Sequence, residues 1–129
     1  MKTMILAGAL AAFSLSALAA PEVSFVEPAD GATVSSPVSV KMAVSGMTVQ
    51  PAGKLVEGTG HHHLIIDGEP VAAGTPVPAD AQHLHFGKGQ TETSVELPPG
   101  KHTLTLQFAD GLHQSYGPAM SKTIEIDVK

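Results

Sequence analysis

Val38-Ser39-Val40-Lys41-Met42-Ala43-Val44-Ser45 alternates for eight residues, with three valines and Met42 in one phase and Ser39, Lys41, Ala43 and Ser45 in the other. Successive side chains of an extended chain point to opposite faces, so this pattern specifies a strand with one face buried and one wet. The same period of two recurs on both sides in short runs broken by Pro, Gly and Asp, and no 3.6-residue period is sustained from residue 20 onward. That is the pattern of many short strands.

Upstream, Val23 and Phe25 begin a strand that stops at the Glu27-Pro28-Ala29-Asp30-Gly31 turn. Downstream lie His61 to Ile66, His83 to Phe86, the Val95 and Leu97 run, then His102, Leu104, Leu106 and Phe108 in one phase, and finally Ile124, Ile126 and Val128. About seven short strands with no helix to make crossovers predict an all-β domain of two antiparallel sheets packed face to face. The connections over 46–59 and 67–82 are long for so small a domain, and loops of this length are more often functional or weakly ordered than neutral. Prolines 70, 76 and 78 make the second an extended, packed crossing.

The first nineteen residues read as a signal peptide: Lys2 gives a positive start, Met4 to Leu18 is nearly all apolar, and Ala17-Leu18-Ala19 is a small-residue cleavage site. The expectation is one domain over 20–129, periplasmic or secreted, with no membrane span. Losing Lys2 takes the formal net charge from -5 to -6, with six lysines, no arginine and twelve carboxylates. Nucleic acid and anionic lipid need a basic patch, so neither is an expected partner. The absence of cysteine removes thiolate metal sites, cysteine nucleophiles and disulfides together.

Five of the seven histidines fall in Gly60-His61-His62-His63-Leu64-Ile65-Ile66-Asp67 and His83-Leu84-His85-Phe86. Residues two apart on a strand share a face about 6.5 to 7 Å apart, and opposed residues on paired strands have Cβ atoms about 5 Å apart. Burying Leu64 and Ile66 sends His61 and His63 outward and His62 inward at the rim; burying Leu84 and Phe86 sends His83 and His85 outward. If the two strands are neighbours, His61, His63, His83 and His85 form a four-imidazole patch sized for one ion, with His113 able to complete it. Neutral imidazole without thiolate favours copper or zinc. Asp67 and Asp80 could orient the rings, and Met47 and Met120 could add thioethers for Cu(I). His102, after Pro98-Pro99-Gly100, is expected to pin a loop, as a tyrosine does in related sandwiches.

Two other readings stand beside a metal site. The histidines could instead order loops in a structural or protein-interaction module of the cell envelope. Catalysis would need a metal-activated water, because Ser115 near His113 makes no dyad; the expectation is a protein that is not an enzyme.

The ends of the chain resemble bacterial immunoglobulin-like or fibronectin-like domains, through Phe25-Val26-Glu27-Pro28-Ala29-Asp30-Gly31-Ala32-Thr33-Val34 and Pro99-Gly100-Lys101-His102-Thr103-Leu104. The two histidine runs and Leu97 to Leu106 together resemble the exported bacterial family catalogued as domain of unknown function 4399, over about residues 45 to 128. That resemblance implies a small exported domain marked by these histidines and no particular activity. A weaker similarity, over residues 28 to 34 and 38 to 44, is to CopC-type periplasmic copper carriers. Their amino-terminal histidine ligand has no counterpart in Ala20-Pro21-Glu22, so any copper here must use the central cluster.

Overall fold

The structure is a computed structural model that describes Gly8 and residues 19–129. The expected signal peptide, apart from Gly8 and Ala19, lies outside the described residues. Nine strands occur among them: β1 (Glu22–Glu27), β2 (Thr33–Val34), β3 (Val38–Ser45), β4 (Thr48–Val49), β5 (Thr59–Ile66), β6 (His83–His85), β7 (Glu92–Val95), β8 (Gly100–Ala109) and β9 (Ser121–Val128). Seven overlap the expected runs, although β7 ends at Val95 and leaves Leu97 beyond it. The additional β2 and β4 pair in parallel with β9 and β5. Two residues are too few to show a period, so the sequence pattern could not reveal them. The domain is all-β, with one short 3-10 turn at Pro118–Met120.

One sheet has the order β1-β3-β7; the other runs β2-β9-β8-β5-β4, with β6 also paired to β5. Both contribute to a single apolar core. Val38, Val40 and Met42 of β3 are buried with Leu64 and Ile66 of β5, Leu104, Leu106 and Phe108 of β8, and Ile124, Ile126 and Val128 of β9. Each such side chain contributes about 1.5–3 kcal/mol when fully buried, so the alternation seen in β3 and β9 is the main organiser of the fold.

β5 departs from that alternation, because all eight of its residues are buried. β8 pairs along one edge, and β4 and β6 share the other. Gly60 permits close approach to β8: a Cβ there would come within 2.7 Å of the Phe108 ring. The face of β5 turned away from the core is covered by the 67–82 connection, which is an extended crossing as expected. It is stitched to the loop after β8, with Val77 N donating to His113 O at 2.9 Å, Ser115 N to Thr75 O at 2.9 Å and Gly74 N to Ser115 O at 2.8 Å. Val71 N donates to the Gln107 side-chain oxygen at 2.9 Å, fastening the crossing to β8 itself.

The opposite end of β8 carries His102. Its Nδ1 lies 2.8 Å from Asp67 Oδ2 and its Nε2 lies 2.8 Å from Pro98 O. Both partners are acceptors, so only the imidazolium satisfies both. The hydrogen bond to Asp67 raises the His102 pKa, helped by the one to Pro98. Asp67, held at a positive φ of 55°, also accepts from Thr103 N at 2.9 Å. His102 therefore pins two turns to the start of β8, the loop-fixing role expected for it.

A raised folded pKa gives stability that is complete below the unfolded value of 6.5 and lost as pH rises through the folded value. His102→Ala is expected to cost about 1–3 kcal/mol near pH 5.5 and clearly less near pH 9. Urea unfolding of both proteins at the two pH values measures this; an equal cost at both would show that the charge is not involved.

Candidate metal centre

β5 runs so that His61, His63 and Ile65 share the face away from the core, while His62, Leu64 and Ile66 face into it. The directions match expectation, but the exposure does not. His61 and His63 are 0% and 2% exposed, because the loop crossing lies over them. On β6, His85 is directly opposite His63, whereas His83 is opposite Ile65, two residues further along.

That register decides which histidines meet. His61, His63, His85 and His113 each place a ring nitrogen within 4.8 Å of the others. His83 does not join them; its Nδ1 is 2.7 Å from Asp80 Oδ1 and holds that carboxyl below its ordinary value. The position foreseen for His83 is taken by His113, on the loop stitched over the sheet. Asp67 and Asp80 both bond histidines, but these are His102 and His83 and none of the four. Met120 is buried in the apolar core and Met47 packs against it, so neither is needed at the cluster.

His113 reaches the cluster from a left-handed backbone, φ 64°, which is uncommon for a residue with a Cβ. Asp110 holds it there. The Asp110 Oδ1 accepts from Leu112 N at 2.9 Å and from Gln114 N at 3.0 Å, and the His113 N donates to the Asp110 carbonyl at 2.9 Å. Strand alternation marks Asp110 only as the opening of a loop. The Asp-Gly pair is the signal that could have found it, because aspartate fixes turns through bonds to backbone N–H groups two residues on.

At the centre of the group, His61 Nε2 lies 3.0 Å from His63 Nε2 and 3.2 Å from His113 Nδ1. A neutral imidazole nitrogen carries either one hydrogen or one in-plane lone pair. His61 Nε2 can therefore make one good hydrogen bond of the two, and the buried Nδ1 atoms of His61 and His63 have no partner within the described residues. Three nitrogens that face one another, with too few protons among them to be satisfied, are what a cation would need. At a metal–nitrogen distance of about 2.0–2.1 Å the edge of a coordination tetrahedron is about 3.3–3.4 Å. The two contacts at His61 Nε2, 3.0 and 3.2 Å, are close to that edge, and all four rings bring a nitrogen within 4.8 Å of the others.

The protonation states suit ligation. Burial pushes His61 down to about 4, aided by His85 and His113, and pushes His63 down to about 3, aided by His61 and His85. His85 is lowered as well, first by burial and then by His113. These rings are therefore neutral at pH 7, the form that offers a lone pair. Ser115 belongs to the scaffold: its Oγ donates to Val71 O at 2.8 Å and accepts from Gly117 N at 2.9 Å.

A family model described as Domain of unknown function (DUF4399) matches residues 40–129, a span that contains all four clustered histidines. No curated protein and no solved structure matches the chain.

Proposed function

Since the chain belongs to the family described as Domain of unknown function (DUF4399), whose description carries no activity, we propose a function from the histidine geometry: a small exported domain that binds one transition-metal ion. The observation that carries this reading is the approach of His63 Nε2 and His113 Nδ1 to the same nitrogen of His61, at 3.0 and 3.2 Å. His61, His63, His85 and His113 are the ligands. Copper stands ahead of zinc, because divalent copper binds nitrogen ligands most tightly of the first-row series. A bound ion would supply Lewis acidity or redox chemistry; the chain itself supplies four imidazole donors and a covering crossing.

The domain is taken to be an immunoglobulin-like sandwich over 20–129, released to the periplasm or beyond by cleavage after Ala19. It is a binding protein and not an enzyme on this reading; Ser115, the serine near His113, is committed to backbone partners on both sides. Asp110 positions His113 and adds the negative field that opposes the neighbouring imidazoles at His61.

Calorimetric titration of the untagged protein with Cu(II) and separately with Zn(II) tests this. One equivalent should bind to each protein molecule, the melting temperature should rise with it, and Cu(II) should displace Zn(II). Failure of both ions to bind stoichiometrically would remove the metal reading and leave the structural or interaction module. Retention on acidification should be better than for free imidazoles, because protons do not compete for His61 and His63 until the pH approaches 4.

A further inference from the structure

Within the cluster the four histidines are not equivalent. Nitrogens of His61, His63 and His113 make the two contacts at 3.0 and 3.2 Å, whereas among the described residues His85 makes no such hydrogen bond. His85 completes the group through its ring position, with centroids 4.5 Å from His113, 5.0 Å from His61 and 5.1 Å from His63. It is also the exposed member, at the end of a three-residue strand, while His61 and His63 are fixed within β5.

A cavity of about 350 Å³ opens beside it. Its walls are Pro76, Val77, Pro78, Ala79 and Leu112, and its inner end is made by His63, His85 and His113. Among the described residues no lysine or carboxylate lines it. Its size is at the lower end of small-ligand pockets, with apolar walls around a few polar groups. Leu112, 51% exposed, stands at this cavity next in sequence to His113.

Resting on the metal reading above, we infer that the centre is built three-plus-one: His61, His63 and His113 hold the ion, and His85 is a releasable ligand whose place a small neutral donor molecule with an apolar body takes through this cavity. The ligand class follows from the walls. An ion at the inner end attracts any lone pair, charged or neutral, but the apolar walls add affinity only to a donor that carries an apolar body, which a neutral heterocycle has and acetate lacks. The exchange is one of ligands only; the incoming lone pair replaces that of His85 and no electron or proton changes hands. Gly87 makes room for the releasable ring: a Cβ there would be 2.6 Å from His85 Nε2, and the residue's φ is not in the left-handed region. Gly87→Ala therefore displaces His85 without removing it.

The test uses the untagged protein, its His85→Ala variant and its Gly87→Ala variant, each titrated with Cu(II) and then, loaded, with N-methylimidazole or acetate. Electron paramagnetic resonance and the visible band report the ligand set. Wild type should bind one Cu(II) and change spectrum saturably with N-methylimidazole but not with acetate. His85→Ala should keep one Cu(II) with an affinity reduced about tenfold or less, and with N-methylimidazole its spectrum should converge on that of wild type treated with N-methylimidazole, since the two adducts then share one ligand set. Gly87→Ala should resemble His85→Ala before the addition. If wild type binds Cu(II) but His85→Ala loses it as completely as His61→Ala does, the three-plus-one arrangement is wrong and the metal reading survives. If the loaded proteins ignore N-methylimidazole, or respond equally to acetate, the cavity ligand is wrong. If wild type binds no Cu(II), both readings fall together.

Discussion

His61→Ala is expected to weaken Cu(II) or Zn(II) binding by roughly two to three orders of magnitude, while His83→Ala leaves it within about twofold. The size follows from the ligand count: about 10–16 kcal/mol for a four-ligand structural site is about 2.5–4 kcal/mol per ligand, and about 1.4 kcal/mol is a factor of ten. His61 is chosen because its Nε2 is the shared neighbour of His63 and His113, so its loss leaves two donors facing a gap. His83 is the matched control: same residue type, same short strand, two positions from His85, yet bonded to Asp80 and outside the group. Competition titration against a chelator of known affinity measures both. Equal losses in the two variants would mean that histidine content, and not this geometry, binds the ion.

The contrast between His83 and His113 also marks how far the sequence reaches. Alternation determines which side of β5 each histidine takes, and it places the two histidine runs on strands able to pair; both hold in the structure. Register is beyond it. Whether His83 or His85 sits opposite His63 depends on how the 67–82 connection returns, and a slip of two residues preserves every inward-facing side chain while exchanging the ligand.

Burial escapes the pattern for a different reason. Alternation equates outward with wet for His61 and His63, although Leu64-Ile65-Ile66 is a continuous apolar run, which marks a strand covered on both faces. Ile65, 0% exposed beside these histidines, is the readable sign of a loop lying above them. His113 can be named from the sequence but not placed, since its approach depends on Asp110 and on the backbone bond from Val77, contacts with no periodic signature.

Acid should unfold the metal-free protein, and replacing His62 should resist this without touching the histidine cluster. His62 faces the core, 0% exposed, edge-on to Phe108 with ring centroids 5.2 Å apart, and both of its nitrogens lack a partner within the described residues. Burial alone pushes it down to about 4. A depressed folded value means that stability is intact above the unfolded 6.5 and drains away as pH falls toward 4, by about 3 kcal/mol for His62. His61 and His63 pull in the same direction. For a small domain with about 5–15 kcal/mol in all, that places the unfolding midpoint in the acid range that this window spans. His62→Leu removes one of the three and also two unsatisfied polar atoms, so it should add about 1–3 kcal/mol at pH 7 and more at pH 5. Because His62 faces away from His61 and His63, metal affinity should be unchanged. Urea unfolding in the presence of a chelator, at both pH values, checks the gain; a variant less stable than wild type at pH 5 would show that His62 has a polar partner in solution, and that its place in the core is not that of an unpaired imidazole.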